Sequence, residues 1–281
     1  MHLTYFNGAW AEGNVPIFGA MDHSVWLGSS VFDGARSIRG LVPDLELHLE
    51  RVQKSAAALG LECPYSVEQM TALVKEGIAR FPADAELYIR PLVFATEGLL
   101  IPVASMSGFA LTLFDAPMPP FTGFTACLSP LKRPTPQMAP TDAKASSLYA
   151  NTTRALKDAQ TRGFDNAVVL DADGMVAEFA TSNLFFVTDA GRVVTPVPNR
   201  TFLAGITRAR VIKLLAGDGI MVEERSVAPG ELNSAKEIFN TGNYGKVQPC
   251  IRYESHTLPI GPIATLARER YLAFSAKTAL T

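Results

Sequence analysis

Pro117-Met118-Pro119-Pro120 sets three prolines within four residues near the middle of a 281-residue chain. Each proline fixes φ and lacks an N–H, so the run fits neither a helix interior nor a central strand. It marks a linker over 117–123 and divides the chain into a smaller half, 1–116, and a larger one, 124–281. Both halves have the means to build a core, since 48% of the chain is hydrophobic and 19% charged. That balance belongs to folded rather than disordered or fibrous proteins.

In the smaller half, Leu3-Thr4-Tyr5-Phe6, the turn dipeptide Asn7-Gly8 and then Ala9-Trp10 predict an opening hairpin. Leu45, Leu49, Val52, Ala56 and Leu59 recur every three or four residues, which predicts a helix over 45–59 that ends at Gly60. A second helix is predicted over 67–81, and strands over 87–94 and 108–114. Strand alternation puts Tyr88 and Arg90 on one face and Leu87 and Ile89 on the other.

The larger half reads as a strand over 124–128, a helix over 147–162, and hairpins turning at Asp173-Gly174 and Asp189-Ala190-Gly191. A helix follows from Gly205 to about 217, then strands over 221–224 and 237–240 and a closing helix over 263–274. The expected fold class is mixed α/β in two domains.

A net charge of −2 without any Lys/Arg block argues against nucleic acid or an anionic membrane as partner and leaves a small molecule. The three cysteines, Cys63, Cys127 and Cys250, form no CxxC pair, and four scattered histidines have no metal-ligand spacing. No metal site is expected, and the thiols read as reduced. The first residues have no basic stretch followed by an apolar core, and no apolar run reaches membrane-span length. The cytoplasm is the expected compartment.

Lys144 stands out among nine lysines because Ala143, Ala145, Ser146 and Ser147 around it leave room for a bulky group at its amine. Such an amine can condense with an aldehyde cofactor and later serve as general base. An exposed strand-edge lysine has the same local look. Glu178, in Val-Ala-Glu-Phe-Ala-Thr-Ser-Asn, offers a carboxylate that could equally be a satisfied strand residue, and Tyr149 a phenol that could simply pack. Gly205-Ile206-Thr207 at a helix head presents unpaired N–H groups, the positive end of the helix dipole and a hydroxyl, which suit a phosphate or only a cap.

Taken together in this order, these motifs resemble the class IV, or fold type IV, pyridoxal phosphate enzymes. That group contains branched-chain amino acid, D-amino acid and (R)-selective amine aminotransferases and aminodeoxychorismate lyase. The resemblance runs from Val31-Phe32-Asp33-Gly34-Ala35-Arg36 to the closing helix. It implies pyridoxal 5′-phosphate held between the two domains, with Lys144 as the Schiff-base lysine and Glu178 opposite the pyridine nitrogen. Tyr149 would meet the phenolic oxygen, and Gly205, Ile206, Thr207 and Arg51 the phosphate. Asn243, in Gly242-Asn243, stands where members usually offer a hydroxyl.

Phe32, Tyr88 and Arg90 match pocket positions of the branched-chain enzymes, and Tyr88-Ile89-Arg90-Pro91 is especially like them. An arginine sharing a face with an aromatic wall could grip a carboxylate, or pair with Glu86 or Glu97. Two departures stand out: Leu27 replaces the tyrosine of the Tyr-Gly-x-x-Val-Phe-Glu-Gly pattern, and the stretch after Phe114 is short and proline-rich. The resemblance implies a branched-chain L-amino acid as donor, 2-oxoglutarate or pyruvate as acceptor, and a homodimer. An (R)-selective amine:pyruvate aminotransferase is the alternative, and a lyase on aminodeoxychorismate a more distant one.

Overall fold

Asn7 and Gly8 both take positive φ, 48° and 82°, as a two-residue hairpin turn requires. The turn joins β1 (His2–Phe6) to β2 (Ala9–Glu12) in antiparallel register. The computed structural model describes residues 1–278, and its backbone clusters into two compact units. One comprises Met1–Met118, Ala143–Leu148 and the described residues from Ser275; the other comprises Pro119–Asp142 and Tyr149–Phe274.

The first unit continues with α1 (His23–Leu27), β3 (Ser30–Phe32), β4 (Ala35–Ile38), α2 (Leu45–Ala58), α3 (Val67–Ile78), β5 (Glu86–Ala95) and β6 (Ser107–Asp115). Its antiparallel sheet runs β2-β1-β6-β5-β3, with β4 also on β5. The helices α2 and α3 bury Leu49, Val52, Met70 and Val74 against Ile89, Val93, Leu111 and Leu113 of the sheet. Each such side chain contributes about 1.5–3 kcal/mol by leaving water. Ser66 and Gln69 close a capping box at the head of α3. The helix stops at Ile78 rather than Phe81, because Pro82 disfavours helical geometry at the residue before it; a turn from Ile78 O to Phe81 N takes over.

Lys144 departs from its expected place in the larger half, because its segment is bonded to the first unit. Phe32 N–H donates to Lys144 O at 3.1 Å, Val31 and Ala145 form an antiparallel bridge, and Lys144 N–H donates to Ser55 Oγ at 3.0 Å. Backbone pairing decides the assignment, not position in the chain. The helix expected over 147–162 is divided for the same reason. Ser146–Leu148 forms a 3-10 turn of the first unit, and the α-helix begins at Tyr149 in the second.

The second unit contains β7 (Phe124–Lys132), α4 (Tyr149–Thr161), β8 (Asn166–Leu170), β9 (Val176–Phe179), β10 (Asn183–Val187), β11 (Val193–Pro196), α5 (Ile206–Gly217), β12 (Val222–Arg225), β13 (Glu237–Gly242), β14 (Lys246–Tyr253), β15 (His256–Thr257) and α6 (Pro262–Ser275). The sheet order is β12-β11-β10-β13-β14-β7-β8-β9, with β15 on β14. The pairs β11/β12, β14/β7 and β7/β8 are parallel. Phe179, Phe185, Phe186 and Phe239 are fully buried along these strands. Ala155 and Ala159, small enough for close approach, sit among the buried residues where α4 packs on β7 and β8.

Candidate active site

In the first unit the short strand pairing with Val31 and Phe32 fixes the backbone of Lys144, and its side chain follows. Nζ lies 4.9 Å from the centroid of the Phe32 ring, within cation–π range. Beneath β3, Asp33 is fully buried and accepts from Arg51 Nε at 2.6 Å and Nη2 at 2.9 Å; His48 Nδ1 is 2.7 Å from the same carboxylate. Burial alone would raise the Asp33 pKa, but the Arg51 charge, its hydrogen bonds and His48 outweigh it and hold the carboxyl well below the usual range. Arg51 is therefore aimed by a carboxylate eighteen residues away, through a bidentate pair.

Tyr88 stacks on Phe114 at 5.3 Å. Its phenolic oxygen is 2.1 Å from where a β-carbon on residue 34 would lie, so Gly34 is required for the phenol to sit there. Arg90 is exposed and makes no ion pair with Glu86 or Glu97 among the described residues. Leu27, the last residue of α1, is 43% exposed.

In the second unit Glu178 lies on β9 and is 8% exposed. Asn183 Nδ2 donates to its Oε2 at 3.3 Å and to Leu203 O at 3.0 Å, while Arg133 Nε lies 3.6 Å from its Oε1. Asn183 also abuts Gly205, the residue at the head of α5, whose extended backbone leaves the N–H groups of Ile206 and Thr207 without intrahelical partners. Tyr149 opens α4, half-buried. Asn183 is paired in register with Thr241 across β10 and β13, which brings Ser182, Thr241, Gly242 and Asn243 together.

Ser182 Oγ, Thr241 Oγ1 and Asn243 Nδ2 are buried and find no hydrogen-bond partner among the described residues. Left so, each costs about 1–3 kcal/mol; a phosphate, rich in acceptor oxygens beside a helix head, is the kind of group that relieves this. Asn243 Oδ1 accepts from the buried Lys246 at 2.6 Å. Pyridoxal phosphate thus fits the donor set of this unit. Thr241, Ser182, Asn183 and Arg133 were not singled out in the sequence, although Asn183 closes the Glu178 motif. Among the described residues no group of His, Cys, Asp and Glu could hold a metal, and no helix is long and apolar enough to cross a membrane.

Residues 30–253 match the sequence model of the amino-transferase class IV family. A probable branched-chain-amino-acid aminotransferase of Rickettsia bellii is 33% identical over 247 residues, which cover 87% of this chain and 84% of that protein. The branched-chain-amino-acid aminotransferase of Escherichia coli is 29% identical over 261 residues, covering 87% and 82%. Among solved structures, an aminotransferase from Brucella abortus bound to the cofactor PLP is similar with a TM-score of 0.96 at 45% identity, covering 98% of this chain and 99% of that one.

Proposed function

The chain belongs to the class IV aminotransferases and is a pyridoxal-phosphate-dependent transaminase; from that premise we propose that its amino donor is a branched-chain L-amino acid and its acceptor 2-oxoglutarate. The observation that carries the donor class is the Phe32 ring beside Lys144 Nζ. An apolar wall next to the reacting amine favours a donor whose side chain is itself apolar.

Bound pyridoxal phosphate supplies an aldehyde for the lysine and an electron-withdrawing ring. Lys144 would hold that aldehyde through its amine and, once the amine is free, would serve as the base that takes the proton from the donor's α-carbon. Glu178 would face the ring nitrogen, and Tyr149 would donate to the phenolic oxygen. Gly205, Ile206 and Thr207 would meet the phosphate with Asn243 as a further donor, and the family resemblance gives the Asp33-anchored Arg51 the same role. Tyr88 and Arg90 line the substrate side, Arg90 meeting a carboxylate.

Leu27 favours a second reading. An apolar, 43% exposed residue stands where the branched-chain pattern has tyrosine, which removes a hydroxyl from the acid-binding side and suits an (R)-amine with pyruvate. Substrate profiling separates the two. Leucine with 2-oxoglutarate should turn over; activity confined to (R)-1-phenylethylamine and pyruvate would overturn the first reading.

A second copy of the chain is the partner we propose. Leu99, Leu100 and Ile101 are 72–80% exposed and Met21 79%, and the two segments adjoin where His23 N–H donates to Thr96 O at 3.2 Å. Large apolar side chains exposed in adjoining segments are what an interface between copies covers. Sedimentation should give a dimer that Leu100→Asp weakens; a monomeric wild type would contradict this.

A further inference from the structure

Glu178 is held from two sides, and the second side carries a charge. Arg133 follows directly on β7, and its own N–H donates to Leu170 O at 2.8 Å on β8, the strand whose Val169 pairs with Glu178. Its Nε donates to Thr201 O at 2.9 Å. Both the backbone and the guanidinium are therefore anchored, and the cation is fixed 3.6 Å from Glu178 Oε1. The side chains are only 12% and 10% exposed, so solvent screens the pair weakly. Asn183 occupies the other oxygen as a neutral donor.

We propose that Arg133 is the positioning residue that keeps the shared proton on the ring nitrogen of the cofactor rather than on Glu178. This rests on the reading that Glu178 faces that nitrogen. Two placements of the proton compete: a carboxylate beside a protonated nitrogen, or a carboxylic acid beside a neutral one. In a buried site desolvation favours the uncharged pair. A fixed cation beside the carboxylate reverses the preference, because protonating Glu178 would leave the guanidinium without its counter-charge. Asn183 orients the carboxylate and, as a neutral donor at 3.3 Å, favours its charged form less than the fixed cation does. Arg133 thus acts on the electron-withdrawing power of the ring without touching it.

The test is the nitrogen-15 chemical shift of ring-labelled pyridoxal phosphate in the holoenzyme, which reports protonation directly. Wild type and Arg133→Lys should give the protonated shift, and Arg133→Gln should move most of the way to the neutral value. The Gln variant should also lose kcat by about tenfold or more, with the donor KM little changed. Glu178→Gln separates the proposal from its premise: if that variant leaves the shift unchanged, Glu178 does not face the nitrogen. If Glu178→Gln moves the shift and Arg133→Gln does not, the role of Arg133 is overturned. Should the Gln variant fail to load cofactor, the Lys variant decides, since a neutral-type shift in it would equally refute the proposal.

Discussion

Asn183 Oδ1 stands 1.9 Å from the place a β-carbon on residue 205 would occupy. One side chain therefore joins the carboxylate at Glu178 to the helix head at Gly205, the two features assigned to opposite ends of the cofactor. Any side chain at 205 must turn Asn183 and break its bond to Glu178. Gly205→Ala is expected to weaken pyridoxal phosphate binding roughly ten- to a hundredfold. Titration of apoprotein with cofactor, followed by absorbance, measures it, and the circular dichroism spectrum should stay native.

Asp33 gives the first unit a defined acid response. Its pKa is depressed in the fold, so its stabilisation is fully present above the unfolded value, about 3.9. The contribution is lost as pH falls below that value toward the lower folded one. Denaturant unfolding should show wild-type stability declining below about pH 4. Asp33→Asn should cost about 3 kcal/mol at neutral pH, because it leaves Arg51 and His48 facing an amide, and its decline in acid should be shallower. An identical acid slope in both proteins would remove Asp33 as the cause.

Gly34 and Tyr88 make a separate prediction on the substrate side. A methyl at 34 would collide with the phenol 2.1 Å away and force Tyr88 off Phe114. Gly34→Ala should raise the KM of the amino donor roughly tenfold while cofactor affinity stays within about twofold. Steady-state kinetics beside a cofactor titration distinguish this from a general loss of folding.

Periodicity made the long elements legible: the apolar rows of α2 and α3, and the Asn7-Gly8 turn, are local signals that tertiary packing reinforces. The short β3 and β4 carry too few residues for a period to show. Lys144 was legible as a reactive amine but not as part of the first unit, because the bonds that place it reach Phe32 and Ser55, far away in sequence. The same holds for the partners of the predicted site residues. Arg133 looks like any charge beside Lys132, and Asp33 is eighteen residues from the Arg51 it aims. Local sequence names the groups that do chemistry; the groups that orient them are chosen by the fold.

The central claim is that Lys144 carries the cofactor, and reduction of the holoenzyme tests it most directly. Borohydride should abolish the visible absorbance and fix a phosphopyridoxyl group that peptide mapping by mass spectrometry finds on Lys144, with Lys144→Ala folded and unlabelled. A label on any other lysine, or a reducible band that persists in Lys144→Ala, would contradict it.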